Sequence, residues 1–423
     1  MTYSVGTAHE RRRESTRLGV LLMTLTVFGP VSMDLYLPAL PALTVELGAA
    51  TSTAQLTVTA CLIGLAGGQL IAGPLSDRFG RRRPLLIGVI AYVVVSVLCA
   101  VSPTVEVLVA ARAVQGLAGG VGIVIAQAAG RDVYAGGALI RFYGRLTVIG
   151  GLAAVIGPLL GGALTTLMDW RGLFLVLAGI GVAILLWVAA GFGETLPVEG
   201  RTSGGFARVA ADMRVLFGDR GFVGAVFVQG LVNAALFAYL SGATYVLQGV
   251  YGLSPFQYAL AFGLNSAGFA LCGYLAGLGS ERWSIPGTLI VGVAMAGAGG
   301  LGLLTAGLVH VPLAVVLVSL VLLVGGTAVT TPPSTTIALA DYPQFAGTAS
   351  SILGAARFAF GGIVAPLVGV AGSLSILPLG VVTTGSVVLA AIVGIVFLVA
   401  RRSGSSNSVG TITDGEISCV EQS

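Results

Sequence analysis

Gly73-Pro-Leu-Ser-Asp-Arg-Phe-Gly-Arg-Arg-Arg-Pro84 sets four arginines and an aspartate between two stretches, 54 to 74 and 84 to 101, that carry no charge at all. Crossing roughly 30 Å of hydrocarbon takes about 20 apolar residues of helix, which is the length of each flank. The same alternation of long apolar run and short charged break recurs over the whole chain, which is 56% hydrophobic and 9% charged with mean hydropathy +0.99. Working outward from the loop gives twelve spans, at 18 to 40, 54 to 74, 84 to 101, 103 to 128, 143 to 168, 172 to 192, 222 to 246, 256 to 278, 286 to 306, 311 to 339, 345 to 371 and 377 to 400. Every peptide group in lipid must find its partner within its own segment, and the glycine-rich apolar runs lack the alternation of barrel strands. The fold class is therefore an all-α membrane protein of twelve transmembrane helices.

All 21 basic side chains other than histidine are arginine. With the N-terminus in the cytoplasm, eighteen of them fall on that side: Arg11 to Arg17, Arg78 to Arg83, Arg131 to Arg145, Arg201 to Arg220, Arg282, and Arg401 with Arg402. Arg171 alone falls outside, while Arg112 and Arg357 lie within spans. This asymmetry predicts a multi-pass protein of a bacterial inner membrane with both termini cytoplasmic, and it accounts for the net charge of +4 without a nucleic-acid partner. Residues 1 to 17 are too polar for the core of a cleaved signal, so the first span is expected to direct insertion.

The longest break, 193 to 221, divides the spans six and six. Gly73-Pro-Leu-Ser-Asp-Arg78 recurs as Gly277-Leu-Gly-Ser-Glu-Arg282, and Gly157-Pro-Leu-Leu-Gly161 is echoed by Ala365-Pro-Leu-Val-Gly369. The domain organisation read from this is a cytoplasmic tail (1 to 17), a six-helix bundle (18 to 192), a cytoplasmic loop (193 to 221), a second bundle (222 to 400) and a cytoplasmic tail (401 to 423). Two repeated bundles with substrate at their interface near the midplane is the build of a rocking, alternating-access transporter.

A charge at the centre of a membrane helix costs about 2.5 to 3.5 kcal/mol on insertion scales, so each one asks for a reason. Asp34, Arg112 and Arg357 are the three cases. Asp34 stands roughly 24 Å from the inner end of its span and Arg112 about 13 Å from the outer end of its own. The two depths differ by ~7 Å, which predicts an Asp34–Arg112 pair if the first and fourth spans are neighbours. A carboxyl that gains or loses a guanidinium neighbour changes its hold on a proton, so the two are candidates for proton coupling; a purely structural ion pair is the alternative. Arg357 is open between a ligand-facing role and satisfaction by carbonyls.

The ordered loop at 73 to 84 resembles the signature loop of the major facilitator superfamily, and the match extends over nearly all twelve spans. The resemblance implies two six-helix bundles and a gating role for Gly73, Asp77, Arg78, Gly80, Arg81 and Arg82. Gly73 would allow close helix approach, Asp77 would face an arginine across the bundle, and Arg81 and Arg82 would anchor the inner surface. Arg112-Ala-Val-Gln-Gly116 is similar to the family's fourth-helix motif, whose arginine is implicated in proton transfer. Gly150-Gly-Leu-Ala-Ala-Val-Ile-Gly-Pro-Leu-Leu-Gly-Gly162 resembles the antiporter motif; its Gly150, Gly157, Pro158, Gly161 and Gly162 imply export rather than uptake. Met33-Asp-Leu-Tyr-Leu-Pro-Ala-Leu-Pro41, Arg131-Asp-Val-Tyr134 and Ala346-Gly-Thr-Ala-Ser-Ser351 with Arg357-Phe358 are similar to the bicyclomycin and chloramphenicol resistance (Bcr/CflA) branch of drug:proton antiporters.

Tyr36, Gln115, Asn233, Phe237, Tyr239, Asn265 and Arg357 are candidate pocket residues, because drug sites are mostly apolar and aromatic with a few polar anchors. Interhelical hydrogen bonding is the alternative for the polar ones. The chain has no lysine and hence no P-loop of its own, and His9 and His310 stand alone, so neither ATP, a metal nor another cofactor is expected beside the proton gradient. Grouped acids, histidines and nucleophilic cysteines are lacking, which argues against an intramembrane enzyme. The expectation is a monomeric proton-coupled exporter of antibiotics such as chloramphenicol or bicyclomycin, with export of an endogenous metabolite or amino acid as the alternative.

Overall fold

The computed structural model describes residues 8–134, 136–201, 205–279, 284–309, 311–340, 342, 346–369 and 375–407. His310, Cys419 and the second half of the loop repeat (residues 280–282) lie outside the described residues. The described elements are helical throughout: α1 (Ala8–Asp34), α2 (Leu40–Glu46), α3 (Thr51–Phe79), α4 (Arg82–Ala100), α5 (Val105–Val133), α6 (Gly136–Leu164), α7 (Trp170–Gly191), α8 (Gly205–Gly218), α9 (Arg220–Tyr245), α10 (Pro255–Gly279), α11 (Ile285–Leu308), α12 (Leu313–Leu339), α13 (Ala346–Val364) and α14 (Leu377–Asn407). Among the described residues ten helices are long and apolar enough to cross a bilayer, and eleven when the bent pair Arg17–Gly29 and Val31–Glu46 is taken as one span. α6 stands where the fifth of the twelve expected spans was read.

The first expected span is not continuous. α1 stops at Asp34, the chain turns through Leu35 and Tyr36, and a 3₁₀ turn (Leu37–Ala39) leads into α2. Pro38 and Pro41 cause the break, since each removes an amide donor from the helical ladder at the start of its element. α13 ends similarly, passing after Val364 into a 3₁₀ turn that holds Pro366. On the arginine-bearing side α3 and α5 run to Phe79 and Val133, beyond their apolar spans, because a helix may continue past the hydrocarbon edge with polar side chains. The connection between the halves contains α8, whose Phe206, Val209, Met213 and Leu216 recur at helical spacing; Leu216 is fully buried.

Small residues set the spacing of the bundles. α3 and α5 touch main chain to main chain: a side chain at Gly64 or Gly68 would strike Ala113 and Leu117, and one at Gly116 or Gly120 would strike Cys61 and Leu65. The halves meet along two seams, α3 against α13 and α6 against α10.

Candidate functional site

Arg112 is fully buried within the N-terminal half. Its Nη1 donates to Gln115 Oε1 at 2.6 Å and to the Ser32 carbonyl at 3.3 Å. The guanidinium lies 4.3 Å from the Tyr36 ring centroid and 5.6 Å from that of Phe174, and Tyr36 is held by a 2.8 Å bond to Thr57. A desolvated guanidinium on an aromatic face gains about 2 kcal/mol, which helps to offset its burial. Tyr36 and Gln115 are thus parts of an arginine cage, with Gln115 fixed in turn by Ser96 at 2.7 Å.

The expected Asp34–Arg112 pair is absent: neither residue joins an ion pair among the described residues. Arg112 reaches the α1 main chain at the Ser32 carbonyl rather than the Asp34 carboxylate. Asp34 instead faces the seam between the halves. The cation acting on it is Arg357 of α13, and Tyr239 of α9 and Tyr258 of α10 also lie within its electrostatic reach. Arg357 sits 5.6 Å from the Phe358 ring centroid, and its Nε has no hydrogen-bond partner.

Gly157 and Gly161 build the wall behind Asp34. A side chain at Gly157 would come within 3.0 Å of Asp34 Cβ, and one at Gly161 would strike the Leu35 carbonyl. Gly162 faces the other half, where a side chain would lie 2.7 Å from Ala259 and 2.9 Å from the Pro255 carbonyl. Pro158 is buried inside α6, which continues through it. Gly150 has nothing within 4 Å and plays no part in this packing.

On the C-terminal side, Asn265 donates to the Tyr239 hydroxyl at 2.9 Å, and the Tyr239 ring stacks on Phe262 at 5.8 Å. Asn233 donates to the Gln229 carbonyl one turn back, and Phe237 packs against Phe358 at 5.7 Å, holding α9 to α13. Among the described residues, Gln229 Oε1, Asn233 Oδ1 and Asn265 Oδ1 are buried without hydrogen-bond partners. Leaving such a group unmatched costs about 1–3 kcal/mol, so α9 and α10 carry unspent capacity for a ligand's polar groups.

The ends of the halves away from the arginine-rich loops, expected from the arginine asymmetry to be the outer ones, are tied by four hydrogen bonds that the sequence did not suggest. Thr244 donates to the Leu37 carbonyl at 3.1 Å, Gln248 to the Pro38 carbonyl at 3.2 Å, Gln55 to the Ser241 carbonyl at 3.3 Å, and Thr44 pairs with Tyr245 at 2.8 Å. Two of the acceptors belong to the broken stretch after Asp34. The available signal was a pair of neutral polar residues, Thr244 and Gln248, four apart where the seventh expected span ends.

At the opposite end Arg81 is the hub. It reaches Asp77 and Ser76 of its own loop and, at 3.0 Å, Asp132 of α5. Asp77 therefore pairs within the loop, four residues away, rather than with an arginine across the bundle. Glu194, which sequence reasoning did not single out, accepts from the Arg81 amide at 2.7 Å and the Arg82 amide at 3.4 Å and lies 3.8 Å from Arg201. Partial burial pushes the Glu194 carboxyl up, but the Arg81, Leu196 and Arg82 amides and the Arg201 guanidinium outweigh it and hold it below the usual range. Gly80 adopts φ +85°, and a side chain there would strike the Glu194 carboxylate. Arg82 donates to the Ala189 carbonyl at 2.9 Å, and Arg78 lies 5.3 Å from the Phe79 ring centroid. Gly73 is not needed for close approach, since a side chain there would meet only Val124 at 4.0 Å.

Residues 22–366 match the family model described as Major Facilitator Superfamily. An uncharacterized MFS-type transporter of Bacillus subtilis is 36% identical over 85% of this chain and 90% of its own length. A bicyclomycin resistance protein homolog of Haemophilus influenzae is 26% identical over 92% of this chain and 98% of its own, and a chloramphenicol resistance protein of Pseudomonas aeruginosa is 29% identical over 83% and 82%. Among solved structures, a bacterial homolog of the human lysosomal transporter Spinster in an inward-facing, occupied conformation superposes with TM-score 0.72 at 15% identity, covering 94% of this chain and 98% of that one. With two helical halves, a sealed seam and a buried carboxylate between them, the chain belongs to the major facilitator superfamily of membrane transporters.

Proposed function

We propose that this transporter is a drug:proton antiporter of the inner membrane, exporting neutral or weakly charged antibiotics such as chloramphenicol or bicyclomycin by alternating access. The reading rests on one observation: Asp34, the one acid among the described residues that lies deep in a membrane span, stands at the seam and faces Arg357, Tyr239 and Tyr258 of the other half. Both termini are cytoplasmic on this reading, and one chain works alone. The named resistance proteins among its relatives support the substrate class.

In the inward-open state the ionised Asp34 is held by Arg357 and substrate enters from the cytoplasm. In the outward-open state a proton neutralises Asp34, Arg357 is released, and substrate leaves. Substrate and proton thus occupy the site in turn, and Arg112, caged by Tyr36 and Gln115, holds the α1 backbone that carries Asp34. The unmatched amides of Gln229, Asn233 and Asn265 anchor the polar groups of the drug. A second reading, export of an endogenous metabolite through the same site, is favoured by the higher identity to a transporter with no assigned substrate.

The test is the fluorescence of an interior pH dye in proteoliposomes under an imposed proton gradient, scanning a panel of antibiotics. Compounds should drive proton movement in the wild type and none should in Asp34→Asn. Proton-driven export that survives in Asp34→Asn overturns the mechanism, and folded protein that moves protons for no antibiotic favours the metabolite reading.

A further inference from the structure

The face that carries the arginine-rich loops has a groove unrelated to the transport site. It measures about 320 Å³, lies where α8 meets α9 and α14, and is lined by Phe217, Arg220, Val223, Val396 and Phe397. Behind it a narrow crevice continues between α9 and α14, where Gly221, Gly224 and Val228 of one helix face Gly394 and Phe397 of the other. The lining is divided by chemistry: one rim is cationic and the floor is wholly apolar.

The rim cations are unspent. Arg220 and Arg214 are exposed and join no ion pair among the described residues. The acids nearby are engaged elsewhere: Asp219 caps α9 by accepting from the Gly221 and Phe222 amides, and Asp212 accepts from Thr348. The floor faces outward from the bundle, with Phe217 50% and Val396 57% exposed, where an acyl chain rather than water is the neighbour. A ligand that matches both parts has a negative head and an aliphatic tail.

We propose that this groove seats an anionic glycerophospholipid, its phosphate on Arg220 and one acyl chain against Val223, Val396 and Phe397. The two-part lining distinguishes it from stretches of lipid-facing surface that carry no cation. Bound there, the lipid ties α8, in the connection between the halves, to α9 and α14 of the C-terminal half.

Native mass spectrometry of the full chain, released from micelles containing equal phosphatidylglycerol and phosphatidylcholine, reads the preference directly. The wild type should retain phosphatidylglycerol over phosphatidylcholine by about fivefold, the factor one juxtamembrane arginine provides, and the preference should shrink at high salt. Arg220→Gln should abolish it while phosphatidylcholine retention stays the same, and Arg220→Lys should keep it. Equal retention of the two lipids by the wild type, or a preference that survives both Arg220→Gln and high salt, overturns the assignment. The salt dependence tests it in the wild type even if Arg220→Gln does not fold.

Discussion

Gly161 and Gly150 belong to the same motif and have opposite surroundings. A methyl group at Gly161 meets the Leu35 carbonyl, just past the end of α1, whereas one at Gly150 meets nothing within 4 Å. Overpacking of that kind costs typically 1–3 kcal/mol. Gly161→Ala should therefore lower the unfolding midpoint of the detergent-solubilised protein by the equivalent of about 2 kcal/mol, and Gly150→Ala should stay within about 0.5 kcal/mol of wild type. Equal effects would show that α6 does not pack on α1 as described. Arg112→Lys is a second residue-scale case: the charge survives, but the planar group stacked on Tyr36, whose Nη1 reaches both Gln115 and Ser32, does not. It should destabilise by about 1–2 kcal/mol in the same measurement, and an unchanged midpoint would mean that the aromatic cage contributes nothing.

At the scale of the element, α9 holds the outer seal through neutral side chains gripping the main chain of the broken first span. Pro38 and Pro41 take amide donors out of that stretch, and Thr244 and Gln248 supply donors from the other half. Interhelical bonds of this type average about 0.6 kcal/mol, a factor of about three in an opening equilibrium. Thr244→Val and Gln248→Ala should each speed labelling of a cysteine placed at Ser241, in an otherwise cysteine-free protein, about threefold by an impermeant reagent added outside. Labelling at the wild-type rate in both would remove these bonds from the gate.

For the molecule as a whole, the two ends are closed by different physics, and pH separates them. The outer seal is made of neutral hydrogen bonds, while the inner knot depends on the Glu194 carboxylate. A carboxyl held low in the folded state contributes stability that is present above its unfolded value, about pH 4.3, and is lost as pH falls through the folded value. The unfolding midpoint should accordingly drop below about pH 4, and part of that drop should be missing in Glu194→Gln. The variant should keep the wild-type pH profile of transport near neutrality; a profile that moves with Glu194→Gln would bring the inner knot into proton coupling.

The sequence by itself determined what lipid and covalent structure dictate. Apolar length set the spans, arginine placement suggested their direction, the recurrence of Gly73–Arg78 pointed to two halves, and Asp34, Arg112 and Arg357 stood out because charge in hydrocarbon needs a reason. α8 was missed, since 193 to 221 was read as a loop from its composition, although Phe206, Val209, Met213 and Leu216 recur at helical spacing. Only the tertiary structure decided the partners. Depth along a helix axis suggested Asp34 with Arg112, but Arg112 takes the Ser32 carbonyl, and the cation within electrostatic reach of Asp34 is Arg357 of the other half. The same holds for Glu194 in the inner knot and Thr244 in the outer seal. A one-dimensional pattern measures how deep a residue lies, while the direction its side chain points depends on where prolines end a helix and on which neighbour packs against it.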